Sequence, residues 1–208
     1  MDVNGIHPPD YGPRFSEAIR RFDRENARDP KLVVVDGVPQ PHELLYARWV
    51  TNWVLRLCPQ ASEALFLAAR CQHICRWTIP RSSYEMTRSG YLHWRNDLKK
   101  FHAKKSAEIL REVGYADEMI ECVQDLNLKK RLGQDPECQI LEDALCLVTL
   151  QHQLADLIVK TDQAKLLGVL QKTWKKMSPV AREQASRLPY SEAERELIQQ
   201  ALTDEFKI

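Results

Sequence analysis

Four residues that are suitable ligands for transition metals lie where the sequence predicts central helices. His42 begins one apolar helix, His73 interrupts a second, and His102 and Asp143 lie in two others. Imidazole and carboxylate groups together suit divalent transition metals such as Fe, Mn, Zn, Ni or Co, and helical bundles assemble such sites from facing helices. We therefore predict one divalent transition metal bound by His42, His73 and Asp143, with His102 as a fourth ligand or as a partner of a ligand.

A second cluster combines arginine with aromatic side chains between residues 70 and 99. Arginine presents a planar fork of donors that matches a phosphate group, and aromatic rings can stack on a base or a sugar. Arg70 and Arg76 lie within one or two helical turns of His73, so they can face the same cavity. We predict an anionic small-molecule substrate. The candidate substrate-binding residues are Gln72, Arg70, Arg76, Arg81, Arg95, Lys172 and Lys176.

Helical spacing of apolar residues predicts the elements that position these groups. The predicted helices cover about residues 16–26, 42–57, 63–77, 91–113, 116–126, 137–158, 163–177 and 191–206. The apolar segment 31–35 is followed at once by Asp36-Gly37-Val38-Pro39, which predicts a turn or an isolated strand and no sheet. Residues 78–90 are predicted to form a loop of a length that is often functional. The predicted fold class is therefore all-α, with roughly eight helices.

Length and charge limit the classes of protein that fit. The chain has 208 residues, 44% of them hydrophobic, and 30 Lys and Arg against 29 Asp and Glu, so its formal net charge is +1. This composition excludes disordered and collagen-like chains and gives no strong nucleic-acid signal. We predict a single compact domain in which residues 1–40 form an arm and first helix, 41–160 the helical core, and 161–208 the C-terminal helices packed on the core. The absence of a targeting segment or an apolar span predicts a cytoplasmic protein with reduced cysteines and no membrane partner.

Four segments resemble the HD-domain superfamily of metal-dependent phosphohydrolases, whose members are all-α. Segment 42–50 is similar to that family's first ligand-bearing helix, and segment 67–74 is similar to its second. Segment 102–115 resembles the family helix that begins with His and ends with Leu-Gly-Tyr, and segment 140–144 resembles the helix that supplies the last Asp ligand. The resemblance spans about residues 40–155 and implies an HD-like helical bundle. The metal ligands that it implies are His42, His73, His102 and Asp143.

The His-Asp pair that gives the superfamily its name is replaced in this chain by Gln72-His73. Aligning the apolar residues before the pair and Ile74 after it places Gln72 at the family's His position and His73 at its Asp position. A shift of one residue would place His73 at the family's His position and Ile74 at its Asp position, where no metal ligand would remain. We favour the first alignment, because a carboxamide is a weak ligand and His73 can still coordinate a metal.

The resemblance implies a hydrolase of a small phosphate-bearing substrate, with a nucleotide as one option. A divalent ion would activate water and polarise the phosphoryl group, and Glu142 is the candidate general base. Two alternatives stay open, namely an iron-dependent oxygenase and a non-catalytic sensor or interaction protein that binds a metal or an anion. The tripeptide Lys176-Met177-Ser178 also occurs in a loop of class I aminoacyl-tRNA synthetases. We predict no synthetase activity, because that chemistry needs an α/β nucleotide-binding domain.

Overall fold

The structure is a computed structural model that describes residues 9–202. Ten α-helices and one two-stranded sheet form within these residues, so the predicted all-α class is confirmed, with two more helices than expected and one small sheet. The chain divides into two compact units, of which the first ends at Cys138 and the second begins at Gln139. Within residues 9–202, no helix combines the length and the apolar character that crossing a membrane requires.

Five helices build the first unit, and their apolar faces meet in its core. They are α1 (Pro13–Asn26), α2 (His42–Leu57), α3 (Glu63–Cys71), α4 (Arg88–Val113) and α5 (Asp117–Leu128). Helix α3 packs between α2 and α5, α4 packs along α5, and α1 packs on α3 and α4. Helices α2 and α3 supply fully buried side chains such as Val50, Leu65 and Leu67, as expected for helices with few polar residues.

The segment after α1 is a β-hairpin, so the prediction of no sheet was wrong. Strand β1 (Leu32–Val35) pairs antiparallel with strand β2 (Val38–Pro41). Asp36 and Gly37 between them both have positive φ, 52° and 76°. This is the backbone of a two-residue hairpin turn whose twist matches that of the paired strands. Asp36-Gly37 therefore connects two paired strands. The sequence had predicted that these residues end a single isolated strand or turn.

Helix α3 ends at Cys71, earlier than the predicted end at Trp77, and residues 72–75 form hydrogen-bonded turns. Cys75 has a left-handed conformation with φ of 54° and precedes a 3₁₀ turn at Arg76–Thr78. A left-handed residue cannot continue a right-handed helix. The Cys75 N–H also donates to Asn26 Oδ1 at 3.4 Å, which ties this turn to the end of α1.

Helix α4 begins at Arg88, before the predicted start at Tyr91, because Thr87 caps it. The Thr87 side chain accepts a hydrogen bond from the Gly90 N–H at 3.1 Å. The loop before α4 contains a second 3₁₀ turn, Arg81–Ser83, and passes so close to the helix that a side chain at position 90 would meet backbone. The predicted loop is therefore shorter than expected and closely packed against α4.

The second unit begins within helix α6 (Pro136–Val148). One π-helical turn (Thr149–Gln153) separates α6 from α7 (Leu154–Lys160), where the sequence predicted one continuous helix. Helices α8 (Gln163–Lys176), α9 (Pro179–Ser186) and α10 (Glu192–Ala201) follow. Helix α9 was missed by the sequence analysis, although Ser178 caps it and proline occupies its first position. The predicted end of the last helix at Phe206 lies outside the described residues.

Candidate functional site

The first turn of α2 is fixed by the segments that flank the hairpin. The His42 N–H donates to the Lys31 carbonyl at 2.8 Å, next to the paired strands. Asp29, which is 4% exposed, accepts hydrogen bonds from the backbone N–H groups of Lys31 and Glu43, both at 2.9 Å. The first N–H groups of a helix have no partner within the helix, and Pro41 at the N-cap offers no side-chain acceptor. Asp29 therefore acts as the cap of α2 from a distant position in the sequence.

Glu43 is a buried carboxylate that contacts two imidazoles. Its Oε1 lies 3.3 Å from Nδ1 of His42, and its Oε2 lies 3.6 Å from Nδ1 of His73. Burial would raise the pKa of the Glu43 carboxyl, but the His42 hydrogen bond and the His73 contact outweigh burial and hold this pKa well below its ordinary value. Glu43 is therefore an anion at neutral pH, and an ionised carboxylate can only accept hydrogen bonds. The tautomer favoured in each facing imidazole thus carries its proton on Nδ1.

The rings of His73 and His102 lie side by side, with their centroids 5.7 Å apart. Tyr46 stacks on His73 with a centroid distance of 4.3 Å and an interplanar angle of 10°. His102 Nδ1 donates to the Ile74 carbonyl at 2.8 Å, which leaves its Nε2 as an acceptor. Burial lowers the pKa of His73 to about 4, and burial together with the neighbouring His73 lowers the pKa of His102 to about 3. Both imidazoles are therefore neutral at pH 7, as metal binding requires.

Within residues 9–138, four polar atoms of side chains that are at most 7% exposed have no hydrogen-bond partner. These atoms are Glu43 Oε2, Gln72 Oε1, His102 Nε2 and Asn127 Oδ1. A buried polar atom without a partner costs about 1–3 kcal/mol, so such atoms are uncommon unless an ion, a water or a ligand satisfies them. Glu43 and His102 belong to the histidine cluster, and Gln72 directly precedes its middle member. These atoms mark the cluster as a candidate binding site.

Among the described residues, one group of three side chains meets the spacing of metal ligands. One donor atom from each of Asp29, His42 and Glu43 lies within 4.8 Å of the other two. His73 and His102 lie beside this group, through the contact of His73 with Glu43. Of these three candidate ligands, His42 was predicted from the sequence, whereas Asp29 and Glu43 were not. Imidazole and carboxylate donors suit a divalent transition metal, and the unpartnered Glu43 and His102 atoms retain lone pairs for one, so these residues fit such an ion.

The predicted fourth ligand Asp143 and the predicted base Glu142 lie in the second unit, and both are 3% exposed. Asp143 Oδ1 accepts hydrogen bonds from the Gln139 side chain and from the Ser178 N–H, both at 2.9 Å. Glu142 Oε1 lies 3.2 Å from Nζ of Lys176. Within this unit, Asp143 therefore holds the start of α9, and Glu142 is paired with a cation. The roles predicted for Asp143, Glu142 and Lys176 remain predictions.

Two of the predicted substrate-binding arginines have their donors occupied by protein groups. Arg70 forms a bidentate pair with Asp23, with N···O distances of 2.6 and 2.7 Å. Arg81 donates to the backbone carbonyls of residues 84, 85 and 87 at 2.6–3.3 Å. These contacts give Arg70 a role in joining α1 to α3 and give Arg81 a role in shaping the loop before α4.

Arg76 and Arg95 have aromatic partners. The Arg76 guanidinium lies 4.8 Å from the centre of the Trp94 ring, and the Arg95 guanidinium lies 5.9 Å from the centre of the Tyr91 ring. The Arg76 backbone N–H donates to the His73 carbonyl at 3.0 Å, so this residue lies beside the histidine cluster, and its positive charge contributes to the lowered pKa of both His73 and His102. Lys172, also predicted to bind substrate, is exposed on α8 in the second unit.

A family model described as a domain of unknown function, DUF4202, matches residues 16–198. The chain belongs to the DUF4202 family. The matched range includes all the site residues considered above, from Asp29 to Lys176. No curated protein and no solved structure matches this DUF4202 chain.

Proposed function

We propose that this DUF4202 protein is a metal-dependent hydrolase of a small phosphate ester, with an HD-like helical bundle around its site. The observation that carries the proposal is the cluster at the start of α2, where Glu43 contacts His42 and His73, and His73 lies beside His102. The order of these histidines along the chain, at the start of α2, just after α3 and within α4, also resembles the HD-domain superfamily. Sequence resemblance and spatial clustering therefore support the same three histidines.

The contacts of the cluster leave the same ring atom of each histidine available. Nδ1 of His42 and of His73 faces Glu43, and Nδ1 of His102 faces the Ile74 carbonyl. An imidazole that carries one proton, on Nδ1, keeps a lone pair on Nε2. A carboxylate or carbonyl on the far nitrogen is how metal-binding histidines are commonly oriented, and it increases the basicity of the ligand. Glu43 is thus a positioning residue for two candidate ligands.

The candidate ligands of the first unit are His42, His73 and His102. Glu43 Oε2 lies 3.6 Å from Nδ1 of His73, and donor atoms of Asp29, His42 and Glu43 lie within 4.8 Å of one another. A divalent cation, when bound, supplies Lewis acidity towards water and phosphoryl oxygen atoms. Gln72 Oε1 is buried without a partner and can accept a hydrogen bond from the attacking water. A carboxamide oxygen orients a water molecule but does not remove its proton. The general base therefore has to be another group. The role predicted for Glu142 from the sequence stays a prediction, because Glu142 belongs to the second unit.

Arg76 is the residue best placed to bind the phosphate group. Its backbone N–H donates to the His73 carbonyl at 3.0 Å, and its guanidinium is packed over Trp94 at 4.8 Å. Among the described residues, Arg76 forms no ion pair with a carboxylate, in contrast to Arg70. The planar fork of Arg76 is therefore available to bind two phosphate oxygens, and the Trp94 ring limits its rotation.

The test combines metal analysis with a hydrolysis assay. Purified protein and its His42→Ala and His73→Ala variants are measured for bound Fe, Mn, Zn, Ni and Co, and then assayed on a panel of phosphate esters with each metal added. We expect about one ion per wild-type chain, with loss of metal and of turnover in both variants. His93→Ala, which removes an exposed histidine outside the cluster, is the matched control and should behave as wild type.

Each negative result of this test has a separate meaning. Full metal content in both His→Ala variants would overturn the site. Bound metal without hydrolysis of any ester would support the non-catalytic sensor instead, and oxygen consumption with bound iron would support the oxygenase. Asp143→Ala tests the ligand that the resemblance alone supplies. Loss of metal in this variant would support the complete HD-type ligand set, whereas retention would restrict the ligands to the first unit.

A further inference from the structure

Most of helix α4, together with the two residues before it, has a strong local positive charge. Residues 86–105 contain six Lys and Arg and one acidic residue, so their formal net charge is +5, whereas that of the whole chain is +1. The acidic residue, Asp97, accepts a hydrogen bond from Tyr84 at 2.9 Å. In the part of the chain that the structure describes, Arg88 and Lys100 are exposed and form no ion pair with a carboxylate. Helix α4 is therefore cationic although the whole chain is nearly neutral.

An exposed aromatic ring lies among these cations. Arg88 and Arg95 are both exposed and are two helical turns apart on one face of α4, separated by about 10 Å along the axis. Tyr91 lies between them and is 41% exposed. The Arg95 guanidinium is 5.9 Å from the centre of the Tyr91 ring, and the Trp94 ring is also 5.9 Å from it. The surface thus presents an aromatic face with a cation on each side.

We propose that this α4 surface, defined by Arg88, Tyr91 and Arg95, binds single-stranded nucleic acid. Cations along a helix bind backbone phosphates, and an exposed ring stacks on an unpaired base of any sequence. A duplex offers the same phosphates but keeps its bases stacked inside, so it would lose the contribution of Tyr91. An anionic membrane is less suitable, because a membrane-binding helix needs a broad apolar face. Here, among the described residues near the arginines, the large exposed apolar side chains besides Tyr91 are Met86 and Leu92.

The experiment measures binding of the full chain to fluorescent 12-nucleotide oligo(U) and oligo(dT) by anisotropy at several salt concentrations. The variant Arg88→Gln/Arg95→Gln should bind at least ten-fold more weakly at low salt. It should also reduce the slope of log affinity against log salt by about 1.4, since each phosphate contact to a single strand contributes about 0.7. The control Lys165→Gln/Lys175→Gln removes the same charge from exposed positions on α8 and should bind as wild type.

A second pair of variants separates stacking from charge. Tyr91→Phe keeps the aromatic face and should retain binding, whereas Tyr91→Leu should weaken it by about five-fold or more, as expected for the loss of one stacked base. Oligo(U) and oligo(dT) distinguish RNA from DNA as the preferred strand, and either preference supports the proposal. Equal affinity of the double-arginine variant and wild type would overturn it. The proposal would also be overturned if the protein bound phosphatidylserine vesicles but neither oligonucleotide under the same conditions.

Discussion

Replacing Gly90 by alanine should destabilise the first unit. An ideal Cβ at position 90 would lie 2.2 Å from the carbonyl oxygen of Glu85 and 3.0 Å from its carbonyl carbon. The loop has little freedom to move away, because Arg81 donates to the same Glu85 oxygen at 2.6 Å. Overpacking of this kind costs about 1–3 kcal/mol. We expect Gly90→Ala to lower the free energy of unfolding by this amount.

Gly168 in α8 offers a matched control with the opposite expected sign. A Cβ at Gly168 would have no neighbour within 4 Å, and its backbone is helical. Alanine is favoured over glycine in a helix by about 1 kcal/mol, so Gly168→Ala should increase stability. Urea denaturation followed by far-ultraviolet circular dichroism and by tryptophan fluorescence measures both variants. A Gly90→Ala protein as stable as wild type would show that the Glu85 carbonyl does not approach the helix as described.

The histidine cluster leads to three further expectations. Because the pKa values of His73 and His102, about 4 and about 3, lie below the ordinary 6.5, the unfolded chain binds more protons as the pH falls. Urea titrations of chelator-treated protein should therefore show full stability above pH 6.5 and a decrease towards pH 4, by up to about 1.4 kcal/mol per pH unit for each histidine; a flat profile would contradict the described burial. Glu43→Gln removes the charge that orients two imidazoles and should lower metal affinity about 10–100-fold, as measured by competition with a chelating dye. Gln72→His should tighten metal binding in the same assay, and an unchanged affinity would instead favour the shifted alignment of this pair.

Sequence patterns predicted the helices of the first unit best where apolar spacing is strong. Helix α2 begins at His42 and ends at Leu57 as predicted, because its apolar face and the following proline define both ends. The predicted end of α3 at Trp77 was wrong. Cys75 has a left-handed backbone, and its N–H donates to Asn26, which is distant in sequence, so no local pattern indicates this interruption. The hairpin was missed although Asp36-Gly37 is a strong turn signal, because each strand was judged alone and their pairing was not considered.

The candidate site was predicted in part. The sequence predicted His42, His73 and His102 as candidate ligands. In the structure His42 and His73 contact Glu43, and His102 lies beside His73, while their role as metal ligands stays a prediction. Asp29 was not predictable from spacing, since it reaches Glu43 across a hairpin that the sequence analysis did not recognise. The partners of Arg70 and Arg81 were also beyond a sequence pattern, because residue type alone does not distinguish an arginine that binds a ligand from one that binds its own chain.

The way in which Asp29 caps α2 has a consequence for chain length. Asp29 bonds to both Lys31 and Glu43, and the Lys31 carbonyl bonds to His42, so the hairpin is an excursion whose two ends are held together. Residues added at the tip of the hairpin leave the hydrogen bonds at its two ends unchanged. The entropic cost of closing a loop also rises only slowly with loop length. The turn at Asp36-Gly37 is therefore a place where insertions are tolerated. A short epitope or a fluorophore-binding peptide inserted there would report on the protein while the first turn of α2 stays in place.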